Sequence, residues 1–469
     1  MSAPSVVLPC VLGLAVALAG CTSLVPYRTG DLKDDKSCAD VYRRHDANPG
    51  LEADWDHGCW KRSVEEHERY DLLTIEFDDQ GWVQGSEALD SPADDYLAKF
   101  FLKLEEIHQR ERRKKQGLSI FVFTHGWKHN AKPHDGDVRS FRAVLRDLAT
   151  MEDFLATKGT RPMRVVGIYV GWRGASLDVP LLRELTFWER KNTAHAVAQG
   201  SVREMFKRLD YFRDRSRGDD GADDKDIRML TVGHSFGGLI TFESMSSEFV
   251  RNTVRFKQTD RHMSRVGDLV VLVNPAFEGA RYESLRAAAR RDLKYDRDQL
   301  PVSLVITSRA DWATKYAFPF ARWFSTLLEK QEGVQGDAIV KTVGHNERYI
   351  THELAACAPE DAGCRKACPV PRAQRETQIG SLTASMLEAE FAFMKHIEET
   401  GFPRNVYLCG SMSLNATEQW TPANNPYWVV RTTEDIIDDH SDLFNPRLVA
   451  FVRQMYLGFI YARHIAKRK

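Results

Sequence analysis

Apolar positions along this chain gather into short blocks separated by longer segments with a different period. Leu118 to Thr124 (LSIFVFT) is a nearly continuous apolar run, and Arg164 to Val170, Met229 to Val232, Leu269 to Val273, Val302 to Thr307 and Tyr427 to Arg431 resemble it. Short runs of this kind read as strands buried on both faces of a parallel sheet. Leu72 to Phe77 alternates well enough for a further strand, and Trp82-Val83 pairs with it across the turn Asp78-Asp79-Gln80-Gly81. Between these runs the spacing changes to three and four. Ala93 to Lys115 carries Leu97, Phe101, Leu104 and Ile107 at helical intervals and ends in a basic run that suits a helix C-terminus. Val138 to Leu155, Leu181 to Arg213 and Gly238 to Met245 read as helices too. Strand and helix in alternation predict an α/β fold, a mostly parallel, doubly wound sheet covered on both faces. In such sheets the working residues gather past the carboxyl ends of the strands. Residues 312–420 break the rhythm with helical periodicity and a cluster of cysteines. They read as a helical, cysteine-containing insertion before the last strand, lying over or beside the site.

The chain has 469 residues, 43% of them apolar, enough for a substantial core. Lys+Arg of 65 against Asp+Glu of 66 leaves a formal net charge of -1. That balance argues against a nucleic-acid partner, which calls for a basic excess or stripe.

The N-terminus bears on location. Val6 to Leu18 is apolar but short for a membrane span, and it runs into Leu18-Ala19-Gly20-Cys21. This resembles a bacterial lipoprotein signal, with small residues before a cysteine that becomes the acylated N-terminus. The resemblance implies a signal peptide over residues 1–20, lipidation at Cys21 and residence in the cell envelope. Thr22 after the cysteine, rather than an aspartate, points to the outer membrane facing the periplasm by similarity to enterobacterial sorting. The departure is that no Lys or Arg precedes the apolar run. Setting aside Cys10 and Cys21 leaves Cys38, Cys59, Cys357, Cys364, Cys368 and Cys409. An oxidising compartment permits disulfides among them: Cys38 with Cys59 across an early loop, and two more within the late four, whose pairing spacing does not decide. The late four lack the C-x-x-C spacing of a zinc site, and disulfides are the expectation. The histidines and Asp135 of the stretch His125 to Asp135 match no zinc motif either, so no metal or other cofactor is expected.

Chemistry centres on Ile227 to Met245, IRMLTVGHSFGGLITFESM. A strand runs into Gly233-His234-Ser235-Phe236-Gly237, and a helix follows. Backbone meets backbone in so sharp a turn, and Cβ atoms at Gly233 and Gly237 would collide. Ser235 then stands at a helix N-terminus, where free N–H groups favour a developing negative charge. A serine hydroxyl needs a base in reach, and the base an orienting carboxylate. Asp311 follows the strand Val302 to Thr307, and His440 follows the strand Tyr427 to Arg431. Rivals for the acid are Glu278 and the aspartates flanking His440; rivals for the base are His345 and His352. Asn274 takes the simplest other acid position and cannot ionise.

Nucleophile, acid and base in that order, with the elbow, resemble the serine esterases and lipases of the α/β-hydrolase superfamily. The resemblance covers roughly residues 118–446 and implies hydrolysis of a small-molecule or lipid carboxylic ester, with catalytic residues Ser235, Asp311 and His440. It further implies an oxyanion hole from the backbone N–H groups of Phe236 and Trp127. On this reading residues 1–20 are the signal peptide, 21–70 a tether and N-terminal extension, 71–311 the first part of the core, 312–420 the insertion or lid, and 421–469 the last strand and C-terminal helix. Two other readings keep the fold. One is an acyltransferase using the same triad, the other a non-catalytic envelope lipoprotein.

Overall fold

Along a fully buried strand, successive side chains must enter two different cores, and the central strands here do so. The computed structural model describes residues 26–28, 32, 35–49, 53–84, 96–173, 187–215, 227–257, 260, 262–290, 293–296, 299–320, 333–358, 360–367, 379–400, 402–417 and 424–465. The strands are β1 (Val64–Glu66), β2 (Tyr70–Phe77), β3 (Val83–Gln84), β4 (Gly117–Thr124), β5 (Met163–Trp172), β6 (Ile227–His234), β7 (Leu269–Val273), β8 (Ser303–Ser308), β9 (His352–Ala356), β10 (Asn405–Leu408), β11 (Met412–Ala416) and β12 (Tyr427–Thr432). The helices are α1 (Ala39–Ala47), α2 (Tyr96–Arg113), α3 (Gly136–Thr157), α4 (Phe187–Gln199), α5 (Ser201–Arg215), α6 (Phe236–Arg255), α7 (Gly279–Arg290), α8 (Gly333–Val340), α9 (Ala362–Ala367), α10 (Ala384–Thr400) and α11 (Pro446–Ile465).

The strands join one sheet in the order β1-β2-β5-β4-β6-β7-β8-β12-β9-β11-β10, with β3 on β2. From β2 through β12 to β9 every neighbouring pair is parallel. β1, β3, β10 and β11 pair antiparallel at the margins. Leu118, Ile120 and Val122 of β4 enter one core with α2, α4, α5, α6 and α7, while Phe121 and Phe123 enter the other with α3, α10 and α11. This is the doubly wound, mostly parallel sheet covered on both faces that the alternation predicts, and it is consistent with the α/β-hydrolase type that the resemblance implies. The chain leaves β4 for β5 on one side and returns as β6 on the other. Such a switch point opens a crevice at the carboxyl ends of β4 and β6. No helix among the described residues is long and apolar enough to cross a membrane. The apolar run Val6 to Leu18 and Cys21 lie outside the described residues.

Two regions carry more order than their sequence pattern indicates. Within 312–420, helical periodicity leads to α10, but β9, β11 and β10 also extend the main sheet beyond β12. The expected cysteine content is there: Cys357 is bonded to Cys364, and Cys409 is also disulfide-bonded. Residues 35–49 and 53–70, part of the expected tether and N-terminal extension, contain α1 and β1 and are stapled by Cys38–Cys59. They dock through buried charge. Glu65 Oε1 takes bonds of 2.8 Å from both Arg28 Nη1 and Arg142 Nη2. Burial pushes the Glu65 carboxyl up, but the two guanidinium groups outweigh it and hold the carboxyl well below its ordinary range.

Candidate active site

β6 ends at His234, and α6 begins at Phe236. Ser235 between them has φ 53° and ψ −121°, a conformation that costs a non-glycine residue on the order of 1–3 kcal/mol. The surroundings enforce it. Ser235 N donates to Val273 O at 3.0 Å, and Ser235 O accepts from Ala276 N at 3.1 Å and Leu239 N at 3.2 Å. A methyl group at Gly237 would overlap the carbonyl oxygens of Thr124 and His125, and one at Gly233 would meet Gly237 and Gly238. The glycines therefore let the elbow sit directly against the end of β4.

Three side chains from separate strand ends meet there. Ser235 Oγ lies 2.7 Å from His440 Nε2, and His440 Nδ1 lies 2.9 Å from Asp311 Oδ2. Asp311 is fully buried. Burial raises its pKa, but the imidazole of His440 and hydrogen bonds from Thr314 more than offset this and hold the carboxyl below its usual value. Thr314 N donates to Asp311 Oδ1 at 3.0 Å, and the Thr314 hydroxyl donates to Asp311 Oδ2. An ionised Asp311 can only accept, so His440 Nδ1 carries the proton it donates. Nε2 is then left with a lone pair facing the Ser235 hydroxyl.

The rivals sit elsewhere. His345 Nε2 is 3.1 Å from Thr314 Oγ1, behind Asp311, and burial lowers its pKa to about 4. His352 lies tilted against Trp428, 4.1 Å between ring centres. Glu278 is paired with Lys191 and Arg281. Among the aspartates beside His440, Asp439 accepts from Ser441 N and Asp442 from Asp438 N.

Trp127 and Phe236 lie on the two elements that flank Ser235. A Cβ built on Gly126 would come within 3.0 Å of Ser235 Cβ, so the loop after β4 runs against the serine. The rings of Trp127 and Phe236 are 6.4 Å apart. His125 is structural in its bonding: Trp172 N donates to its Nε2 at 3.0 Å, and its Nδ1 donates to Gly126 O at 2.8 Å. Burial lowers its pKa to about 4. Trp172 is packed against His125 and Phe236 and belongs to the core.

Two further residues belong to the site, and the sequence reading assigned neither of them a part in it. His234 Nε2 donates to the backbone carbonyl of His440 at 2.8 Å, and Asn274 Nδ2 donates to the same oxygen at 3.1 Å. Asn274 also accepts from Ser308 N at 3.0 Å, and Ser308 Oγ donates to Ile437 O at 2.7 Å. The ends of β6, β7 and β8 thus grip the loop that carries the histidine. A positive φ of 44° at Asn274, unusual outside glycine, is the local mark of that role.

Among the described residues, His129, Asp135 and Asp137 bring possible ligand atoms within 4.8 Å of one another and are the group that could hold a cation. Asp135 already caps α3 by accepting from Asp137 N at 2.9 Å, and it accepts from His129 Nδ1 at 3.0 Å.

No family model matches the chain, and no curated protein matches it. Among solved structures it is similar to phospholipase PlaB from Legionella pneumophila, at 16% identity and a TM-score of 0.23 over 51% of this chain and 47% of that one. The same phospholipase in complex with thio-NAD aligns at 16% identity and a TM-score of 0.22 over 50% and 46%. The chain therefore spans about half the length of these proteins.

Proposed function

We propose that this protein is an exported, lipid-anchored serine hydrolase that cleaves carboxylic esters through an acyl-enzyme intermediate. The observation that carries the reading is the unbroken hydrogen-bond chain from Asp311 through His440 to a serine held in a strained turn. Ser235 Oγ attacks the ester carbonyl carbon while its proton passes to His440 Nε2. The carbonyl oxygen becomes an oxyanion, for which Phe236 N–H at the start of α6 and Trp127 N–H are the expected donors. Collapse expels the alkoxide, which takes the proton from His440. Water then repeats the cycle on the acyl-enzyme, releasing the carboxylic acid. Asp311 stays ionised throughout and stabilises the imidazolium.

A fluorophosphonate probe tests the reading, because it phosphonylates only an activated serine. Wild type should label and Ser235→Ala should not, and a panel of acyl esters should turn over in the first alone. Labelling that persists in Ser235→Ala defeats the assignment. The anchor is a separate expectation. Disulfides within the chain favour an oxidising compartment. Metabolic incorporation of palmitate that disappears in Cys21→Ser is the expected result.

A further inference from the structure

Asp311 opens a helical segment, described over residues 312–320, with a π-helical turn at Ala313–Ala317. Its inner face buries Thr314 against Asp311 and Phe318 under the Lys191 ammonium. A surface helix normally turns charge to solvent on its outer face. This one presents Trp312, Tyr316 and Phe320, which are 64%, 54% and 66% exposed. The charged neighbour on the segment, Lys315, lies over the Tyr316 ring at 5.1 Å and donates to Arg309 O. Contiguous exposed aromatics of this kind mark a contact surface.

A second group stands on the same edge of the sheet. Trp82, 68% exposed, sits in the turn just past the carboxyl end of β2. Tyr27 is there too, its backbone N bonded to Glu76 Oε2 at the end of β2. Trp82 and Trp312 are the tryptophans with large exposure among the described residues, and both lie beyond carboxyl ends of parallel strands. β2 and β8 are separated by β5, β4, β6 and β7, which places the two groups roughly 24 Å apart on either side of Ser235. Tryptophan and tyrosine at this kind of edge match the chemistry of a bilayer–water boundary, where an amphipathic ring is half solvated. The N-terminal segment points the same way. Five residues lie between Cys21 and Tyr27, so the six steps reach at most about 22 Å. A lipid on Cys21 would therefore tether the protein beside this edge and not beside the opposite one.

We propose that the carboxyl edge of the sheet is a membrane-facing surface, on which Trp312, Tyr316 and Phe320 enter the lipid–water boundary and bring Ser235 against ester groups resident in the bilayer. The nature of the substrate rests on the hydrolase reading; the contact surface does not.

The test uses the full chain carrying Ser235→Ala, so that no lipid is consumed, and vesicles of phosphatidylcholine with or without bromine on the acyl chains. Subtracting the emission of the same protein with Trp312→Phe isolates the signal of Trp312. That signal should shift to the blue on vesicles and fall roughly twofold or more when the lipid is brominated, as for a ring in the interface. An unchanged Trp312 signal with the protein bound to vesicles overturns the proposal. So does a signal already blue and shielded from acrylamide without vesicles, which would mean that protein, from this chain or a second copy, covers the face. Fluorophosphonate labelling of wild type is read separately, so the surface and the chemistry succeed or fail independently.

Discussion

His440 is held at both ends, and that governs what single substitutions at this site should do. Its ring is fixed by Asp311 and Ser235, and its carbonyl by His234 and Asn274. His234 works as a neutral donor, since burial first, and the nearby His440 second, lower its pKa to about 3. Asp311→Asn keeps the volume but removes the charge that fixes the tautomer, so kcat should fall on the order of 10^3- to 10^4-fold with folding intact. Steady-state kinetics beside circular dichroism checks this, and a near-normal rate would move the acid elsewhere. Asn274→Ala removes one of the two grips on the loop. Misplacing the imidazole should lower kcat roughly 10- to 100-fold while KM changes little. A rise in KM at constant kcat would mean that Asn274 binds substrate and does not position His440.

At the scale of elements, the elbow and the N-terminal extension depend on different forces. The elbow depends on close backbone approach. Gly237→Ala forces a methyl group into two carbonyl oxygens, and the strand–turn–helix has no slack to yield. A loss of about 2–3 kcal/mol is expected, read as a lower urea midpoint. The extension depends on paired charge. Arg28, Glu65 and Arg142 have side chains no more than 1% exposed. Glu65→Ala would leave two buried guanidinium groups facing each other without a carboxylate, at a cost of about 3–5 kcal/mol. The disulfide Cys38–Cys59 should partly hold the extension in that variant, so added reductant should lower its midpoint further.

For the whole molecule, buried histidines contribute much of the response to pH, opposed in part by Asp137, whose carboxyl burial pushes up to about 7. His125 and His345 are lowered to about 4, and His234 and His352 to about 3, in each case chiefly by burial. Unfolded, these four bind protons near pH 6.5 and below, whereas folded they do not. Stability should therefore fall as pH drops below about 6.5, each contributing up to about 1.4 kcal/mol per pH unit. His67 and His129 shift the other way. Burial lowers them, but carboxylates at Asp46 and Glu65 for the first, and Asp135 and Asp137 for the second, more than compensate. Their stabilisation is complete below about pH 6.5 and is lost as pH rises through their raised values. Urea midpoints measured across pH should peak near neutrality, and a midpoint still rising at pH 5 would contradict the buried neutral histidines.

Local rules were enough to locate the elbow, the central strands and the helices α2 to α6 beside them, α4 and α5 as one block. Apolar runs and three-four spacing act over a few residues, and Gly233 and Gly237 leave a mark that any reader of the chain can find. β9, β10 and β11 were not visible in that way, because His352 and Glu353 of β9, Asn405 and Tyr407 of β10 and Asn415 of β11 keep those strands partly solvated and weaken the apolar signal. Which histidine and which carboxylate reach Ser235 was open between several candidates. The groups that meet are 76 and 205 positions away from it in the chain, and only the stacking of whole strands decides such distances. The pairing of Cys357 with Cys364 and the outward aromatic face after Asp311 have the same origin. Each depends on where an element lies relative to the sheet, which no local pattern encodes.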